Sequence, residues 1–541
     1  MVEPVPIRDL GKFGIVKDVA SYDLPPNAWS DGSNVVFGAN RVTSAPIARV
    51  LSDVASVESE NPPLYVAVIE SANGYDPIIT AHTDYTFNIF QNNTLTDISP
   101  TGNVPSESDT RYTSAVLAGL FYINRPDRVP LYYNSLTLKL EALPNWDASD
   151  RCRLIRSFKD FLIALNVTKG STAYPTMFKW SDATLSGQVP DDWDTADLSS
   201  LAGENVFSEA SSEIVDGLTL RNDFAVYTQN DVFMVEYIGG QAVFAFRRAF
   251  TDDGAIAQDC VVEVKGAHYV FGTKDIYVHD GASKRSLLEG RAKSYLYNSI
   301  NPTKAGQCFA FHFPRLNSVF FCYPSTESGV YYKNPTHCNR AVVYNYALDN
   351  LSFVDLPNVS SATFANTSAK LTWETAMSVQ WDQMGGQWAD QDDDLVRHVV
   401  LTSIKNEDLT ESRVIALDDL SASKIGKPTS SEMLPPAYVQ RSGITLEALG
   451  VMLDSRSMTS TIYPLVQQQS SASNFYITFG RAEEPDVSPL QYNRSRFDPR
   501  TTYKVDSRNT GRFLFLKFEF PVDEAVFLSG YDVKLQRISR R

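Results

Sequence analysis

The chain has 541 residues, 43% of them hydrophobic and 12% aromatic, with a net charge of −16. That length exceeds one ordinary core and predicts two or three domains. The acidity argues against a general nucleic-acid binder, whose affinity rests on neutralising phosphates.

Residues 1–60 read as an opening segment. Leu24-Pro25-Pro26 is a rigid extended turn, because proline fixes φ and restricts the residue before it. A hairpin follows, Asn34 to Phe37 and Arg41 to Thr43, and we expect it to close a propeller. Residues 61–435 then show strand runs of four to seven residues, rich in Val, Tyr and Phe and separated by Gly, Asp and Asn. Ile256 to Gly281 has this form most plainly: strands Cys260–Val264, His268–Phe271 and Ile276–His279 lie between Lys265-Gly266, Gly272–Asp275 and Asp280-Gly281 turns. The unit recurs irregularly, which predicts a β-propeller of about six blades.

Two stretches stand out as acidic insertions. Ser181 to Leu220 has nine acids and no Lys or Arg; Gln380 to Asp394 ends in an acidic run. Lys424 to Pro436 is rich in Ser, Pro and Thr and marks a domain boundary. From Tyr438 the strands lengthen, and residues 436–541 read as a β-sandwich. That part holds 14 Lys and Arg against 11 Asp and Glu, so residues 1–435 carry the acid excess. The predicted class is therefore all-β: an irregular propeller with inserted loops, followed by a C-terminal sandwich.

Chemistry-bearing motifs are sparse. The six histidines show neither HxH nor HxxxH spacing, and His268 and His279 are expected to have no partner. His337-Cys338 lacks the second pair that a zinc site needs. Neither a GxSxG elbow nor a phosphate loop is present. Asp192-x-Asp194 begins a calcium-loop pattern without its glycine and closing glutamate, and Asp390 to Asp394 suits a hard cation; solvated acidic loops are the better reading of both. Tyr132-Tyr133 and Tyr331-Tyr332 could stack on sugars, although aromatic strands more often serve a core or interface. The five cysteines, with no CxxC, are expected to be buried free thiols in a reducing compartment. The N-terminus lacks signal-peptide features, and no run is long and apolar enough for a membrane span. Arg494, Arg496, Arg500, Lys504 and Arg508 form a basic belt, read as an interface or a solvated face, with DNA contact as the alternative.

Three stretches carry a family likeness. They are Leu24 to Phe37 (LPPNAWSDGSNVVF) with the following Arg41-Val42, Asp253 to Val278, and Phe513 to Leu535. Together they resemble the tail nozzle proteins of short-tailed bacteriophages, also called packaged-DNA stabilisation or tail tubular protein B-like proteins. The stretch from Ser286 to Tyr295 fills one further family segment imperfectly. The resemblance implies a non-enzymatic virion protein without a cofactor. It implies a homohexameric ring below a tail adaptor protein, with fibres or spikes outside and double-stranded DNA passing through without sequence-specific binding. The ring would retain packaged DNA and open for ejection. On this reading the acidic loop with Asp191, Asp192, Asp194 and Asp197 would face the channel, because a passage for DNA should repel phosphates. A tail hub or fibre-docking protein, or a carbohydrate-binding or glycan-cleaving propeller, are the alternatives.

Overall fold

The structure is a computed structural model. It describes all residues except 1–3, 39, 51–60, 71–75, 92–93, 198, 367–396, 406–411, 419–434, 446–457, 468–471, 486–491, 510–511, 522–525 and 538–541. The acidic stretch 380–394 and most of the 424–436 boundary thus lie outside the described residues.

The chain is almost all β and contains a propeller. Five consecutive four-stranded antiparallel sheets begin at Pro63–Val68, Thr113–Leu117, Arg151–Phe158, Ile214–Leu220 and Val261–Val264. A seven-stranded sheet follows. Its middle strand, Asn350–Asn366, pairs with Cys338–Asn345 through its first half and with Arg397–Ser403 through its second. The register shifts between Val359 and Ser361, where one pairing gives way to the other. That strand is therefore the outer strand of a sixth blade and the inner strand of a seventh. The expected count of about six missed one blade because two blades share a single strand.

Apolar packing runs from blade to blade and closes on itself. Leu64, Phe87, Tyr112 and Phe121 join the first and second blades; Leu154, Phe178, Phe224 and Phe233 join the third and fourth. Val66 and Ile78 of the first blade pack on Ala365, Val400 and Val414 of the last. The strand Ile47–Val50 completes that last blade by pairing with Arg413–Asp418.

The rest of the opening segment departs from expectation. The hairpin Val35–Gly38 and Arg41–Ser44 joins Leu528–Arg537 in a six-stranded sheet, as does Val5–Ile7. Asp31–Ser33 pairs with Ala437–Thr445 in a five-stranded sheet. These two sheets form the sandwich, so residues 436–541 do not build it alone. The cause is burial: Val35, Phe37 and Val42 share a core with Ile462, Phe518 and Val533. Trp29 sits in this core, perpendicular to Phe518 at 6.1 Å, and its indole N–H donates to the Leu10 carbonyl at 2.9 Å. Asn34 fixes the sandwich to the propeller. Its amide donates to Asp355 at 3.1 Å, and its carbonyl oxygen accepts from the Asp355 backbone N–H at 2.7 Å.

The supposed insertion 181–220 is also different. It includes the outer strand of the third blade, Gly203–Val206, and the inner strand of the fourth, Ile214–Leu220. The connections are 181–202 and 207–213. Acid counting could not see strands whose inward residues, Ile214, Val215 and Leu220, are buried.

Candidate functional site at the propeller axis

Inner strands must come together at the axis of a propeller, and here they line a cavity of about 480 Å³. Every blade contributes, from Tyr65 on the first to Ser361 and Ala362 on the seventh. Four charged side chains dominate it. Arg111 precedes the inner strand of the second blade, and Arg156 lies within that of the third. Asp216 sits at a register irregularity in the fourth, and Asp259 precedes the inner strand of the fifth.

Arg156 is the centre. Its Nη2 donates to Asp216 at 2.8 Å and to Asp259 at 2.7 Å, and its Nε donates to the Gly217 carbonyl at 3.1 Å. Asp216 also accepts from the backbone N–H of Gly217 and of Asp259, each at 2.7 Å. Arg111 Nη1 donates to the carbonyls of Cys308 at 2.7 Å and Gln258 at 3.1 Å, while its Nη2 lies 3.6 Å from Asp259. One network thus ties the second to sixth blades across the axis.

Electrostatics follow from burial. Desolvation would lower the Arg156 guanidinium, but the Asp216 and Asp259 carboxylates outweigh it and hold the group firmly protonated. Burial raises the Asp216 carboxyl against the pull of Arg156. The Tyr65 hydroxyl, hydrogen-bonded to Ser114 at 2.8 Å, is pushed up to about 12 by burial and by Asp259. Both carboxylates already hold Arg156, and Asp216 also holds two backbone donors. An acid–base pair for glycoside cleavage needs one carboxyl free to give a proton and another free to act as base or nucleophile. This arrangement instead cross-braces the axis.

The residues singled out in the sequence lie elsewhere. Asp191, Asp192, Asp194 and Asp197 occupy the 181–202 connection and do not line the axial cavity. Asp192 accepts from the backbone of Trp193 and Asp194, Asp194 from Ala196, and Asp197 from Ser199. These are turn-forming bonds, and the loop is pinned by Trp193 packing perpendicular to Trp146 at 4.8 Å. Among the described residues no group of three or more His, Cys, Asp or Glu could hold a metal ion.

Three residues of the basic belt form local pairs. Arg494 bonds Glu519 at 2.8 Å and lies over the Tyr476 ring at 4.0 Å; Arg500 bonds Asp498 at 3.0 Å; Lys504 bonds Asp506 at 2.8 Å. Arg496 is exposed on the edge strand Tyr492–Phe497, and Arg508 lies on Val505–Asn509, the terminal strand of the other sheet. Tyr332 is only 2% exposed, so Tyr331-Tyr332 offers no two-ring sugar platform. The five cysteines are buried free thiols.

Against known proteins, the chain matches no family model and no curated protein. Among solved structures it is similar to the WD40 β-propeller domain of Doa1, at 9% identity and a TM-score of 0.34. That match covers 66% of this chain and 93% of the other.

One cluster was missed in the sequence. His268 and His279 do have partners. They face each other across one hairpin, and both reach the Tyr227 hydroxyl of the neighbouring blade at 2.6 Å. The hairpin register, in which Phe271 opposes Ile276, already places His268 opposite His279. Tyr227, 41 residues earlier than His268, gives no such signal.

Proposed function

We propose that this chain is a structural ring protein, the nozzle at the distal end of a short phage tail. The observation that carries the structural half of this reading is the braced axis. A propeller whose central carboxylates and guanidinia are committed to one another is suited to bearing load, not to turning over a substrate. The nozzle half rests on the residue likeness of Leu24–Phe37, Asp253–Val278 and Phe513–Leu535.

On this reading DNA passes through a lumen enclosed by several copies, never through the axis of one propeller. In a closed cyclic ring each copy uses two different surfaces, so the interfaces are heterologous. The sandwich, joined to the propeller through Asn34 and Asp355, gives each copy a second body with which to meet its neighbour. The net charge of −16 suits a wall that duplex DNA must slide past. The protein works in the virion, below an adaptor ring and beside fibres or spikes.

Electron microscopy of the purified protein and of intact tails tests this. Closed six-fold rings that co-purify with an adaptor protein are expected. A chain that remains monomeric at high concentration and is missing from tails would overturn the proposal.

A further inference from the structure

A second cavity, of about 430 Å³, lies where the sixth blade meets the N-terminal hairpin of the sandwich. Its volume falls in the range of small-molecule sites, about 300–1,000 Å³. Its wall is unusual for this chain. The sequence holds 64 acids against 48 Lys and Arg, yet among the described residues the lining includes Arg41 and Arg315 and no Asp or Glu.

Arg41 is the key group. It is half-buried, and its guanidinium rests on the Phe527 ring at 4.3 Å and makes no hydrogen bond or ion pair among the described residues. Gly38 makes room for it: a Cβ there would lie 2.9 Å from Arg41 Cγ and 3.1 Å from its Nε. The position is thus built to lay this side chain flat along the wall. On the same wall Thr43 is 8% exposed, and its hydroxyl has no hydrogen-bond partner among the described residues. The amide of Asn345, also on the wall, is fixed by donating to the Leu316 carbonyl at 3.1 Å.

A guanidinium presents a planar fork of donors that matches carboxylate and phosphate oxygens. Stacking on Phe527 orients that fork and uses none of its N–H groups. We propose that this pocket binds the oxyanion of a small ligand, a phosphate or carboxylate held by Arg41 with Arg315 at the rim. The site is independent of the ring reading, because it lies within one copy.

Calorimetric titration of the full chain with inorganic phosphate and with citrate, at fixed ionic strength, tests it and separates the two chemistries. Saturable one-to-one binding of at least one anion is expected. R41Q should weaken it at least about tenfold, as loss of a charge-assisted hydrogen bond does. G38A keeps the charge but crowds the side chain, and should weaken binding too, while the remote R494Q should not. If R41Q fails to fold, R315Q serves, with a smaller loss expected. Absence of saturable binding to the unaltered protein, or equal binding by folded R41Q, would overturn the proposal.

Discussion

Tyr227 donates its phenolic hydrogen to Nδ1 of His268, 2.6 Å away. The direction follows from the other bonds. His268 Nε2 lies 2.8 Å from the Thr219 carbonyl, which can only accept, so Nε2 carries the proton. His279 Nδ1 accepts from the Gly281 N–H at 3.1 Å, so its Nε2 carries the proton and donates to the Tyr227 oxygen at 2.6 Å. Two neutral imidazoles and one hydroxyl thus form a directed chain with each donor matched.

This chain predicts acid sensitivity. Burial lowers His268 to about 4, and burial together with His268 lowers His279 to about 3. Below about pH 6.5 the unfolded chain takes up protons that the folded state refuses, so stability falls as pH falls. The loss runs from about pH 6.5 to the folded values and costs about 1.4 kcal/mol per pH unit for each histidine. Urea midpoints measured between pH 7 and pH 4 check this. H268Q should flatten the slope relative to the unaltered protein.

Y227F removes a donor from His268 and an acceptor from His279. We expect a loss of about 1–3 kcal/mol at pH 7, read by urea denaturation. An unchanged midpoint would show that the chain is not maintained in solution.

At the axis, R156A leaves Asp216, 3% exposed in its side chain, without its counter-charge. Breaking such a buried pair costs about 3–5 kcal/mol, whereas replacing both partners by apolar groups of similar volume is often neutral. Denaturant unfolding of R156A, D216L and R156M/D216L should therefore show a double variant more stable than R156A.

The N-terminal segment is tied down by Arg441, 1% exposed, whose Nη atoms donate to the carbonyls of Ser21 at 2.6 Å and Leu24 at 2.7 Å. Burial depresses its guanidinium to about 10. R441M should release residues 17–30 from the sandwich, detected as new early cleavage sites in limited proteolysis with the propeller core intact.

Under the ring reading, the exposed carboxylates of Asp191, Asp194 and Asp197 repel passing phosphates. Replacing all three with Lys in assembled particles should slow genome ejection several-fold. Unchanged ejection kinetics would place this loop away from the lumen.

The sequence by itself determined the class of structure. Alternating apolar residues and Gly- or Asp-marked turns are local properties, so the hairpins of the first six blades were legible, while the pairing of His268 with His279 that the register brings about was overlooked. It also carried the bias of acid toward residues 1–435. Only the tertiary structure decided where strands of distant origin meet. A hydrogen-bonded edge does not record sequence separation, so the Val35–Gly38 hairpin went to the sandwich while Ile47–Val50, a few residues on, closed the propeller. The shared strand Asn350–Asn366 hid the seventh blade for the same reason, since its two halves choose different partners. The axial network was likewise beyond reach of spacing: Arg156 meets acids 60 and 103 residues away because inner strands must come together at a propeller axis.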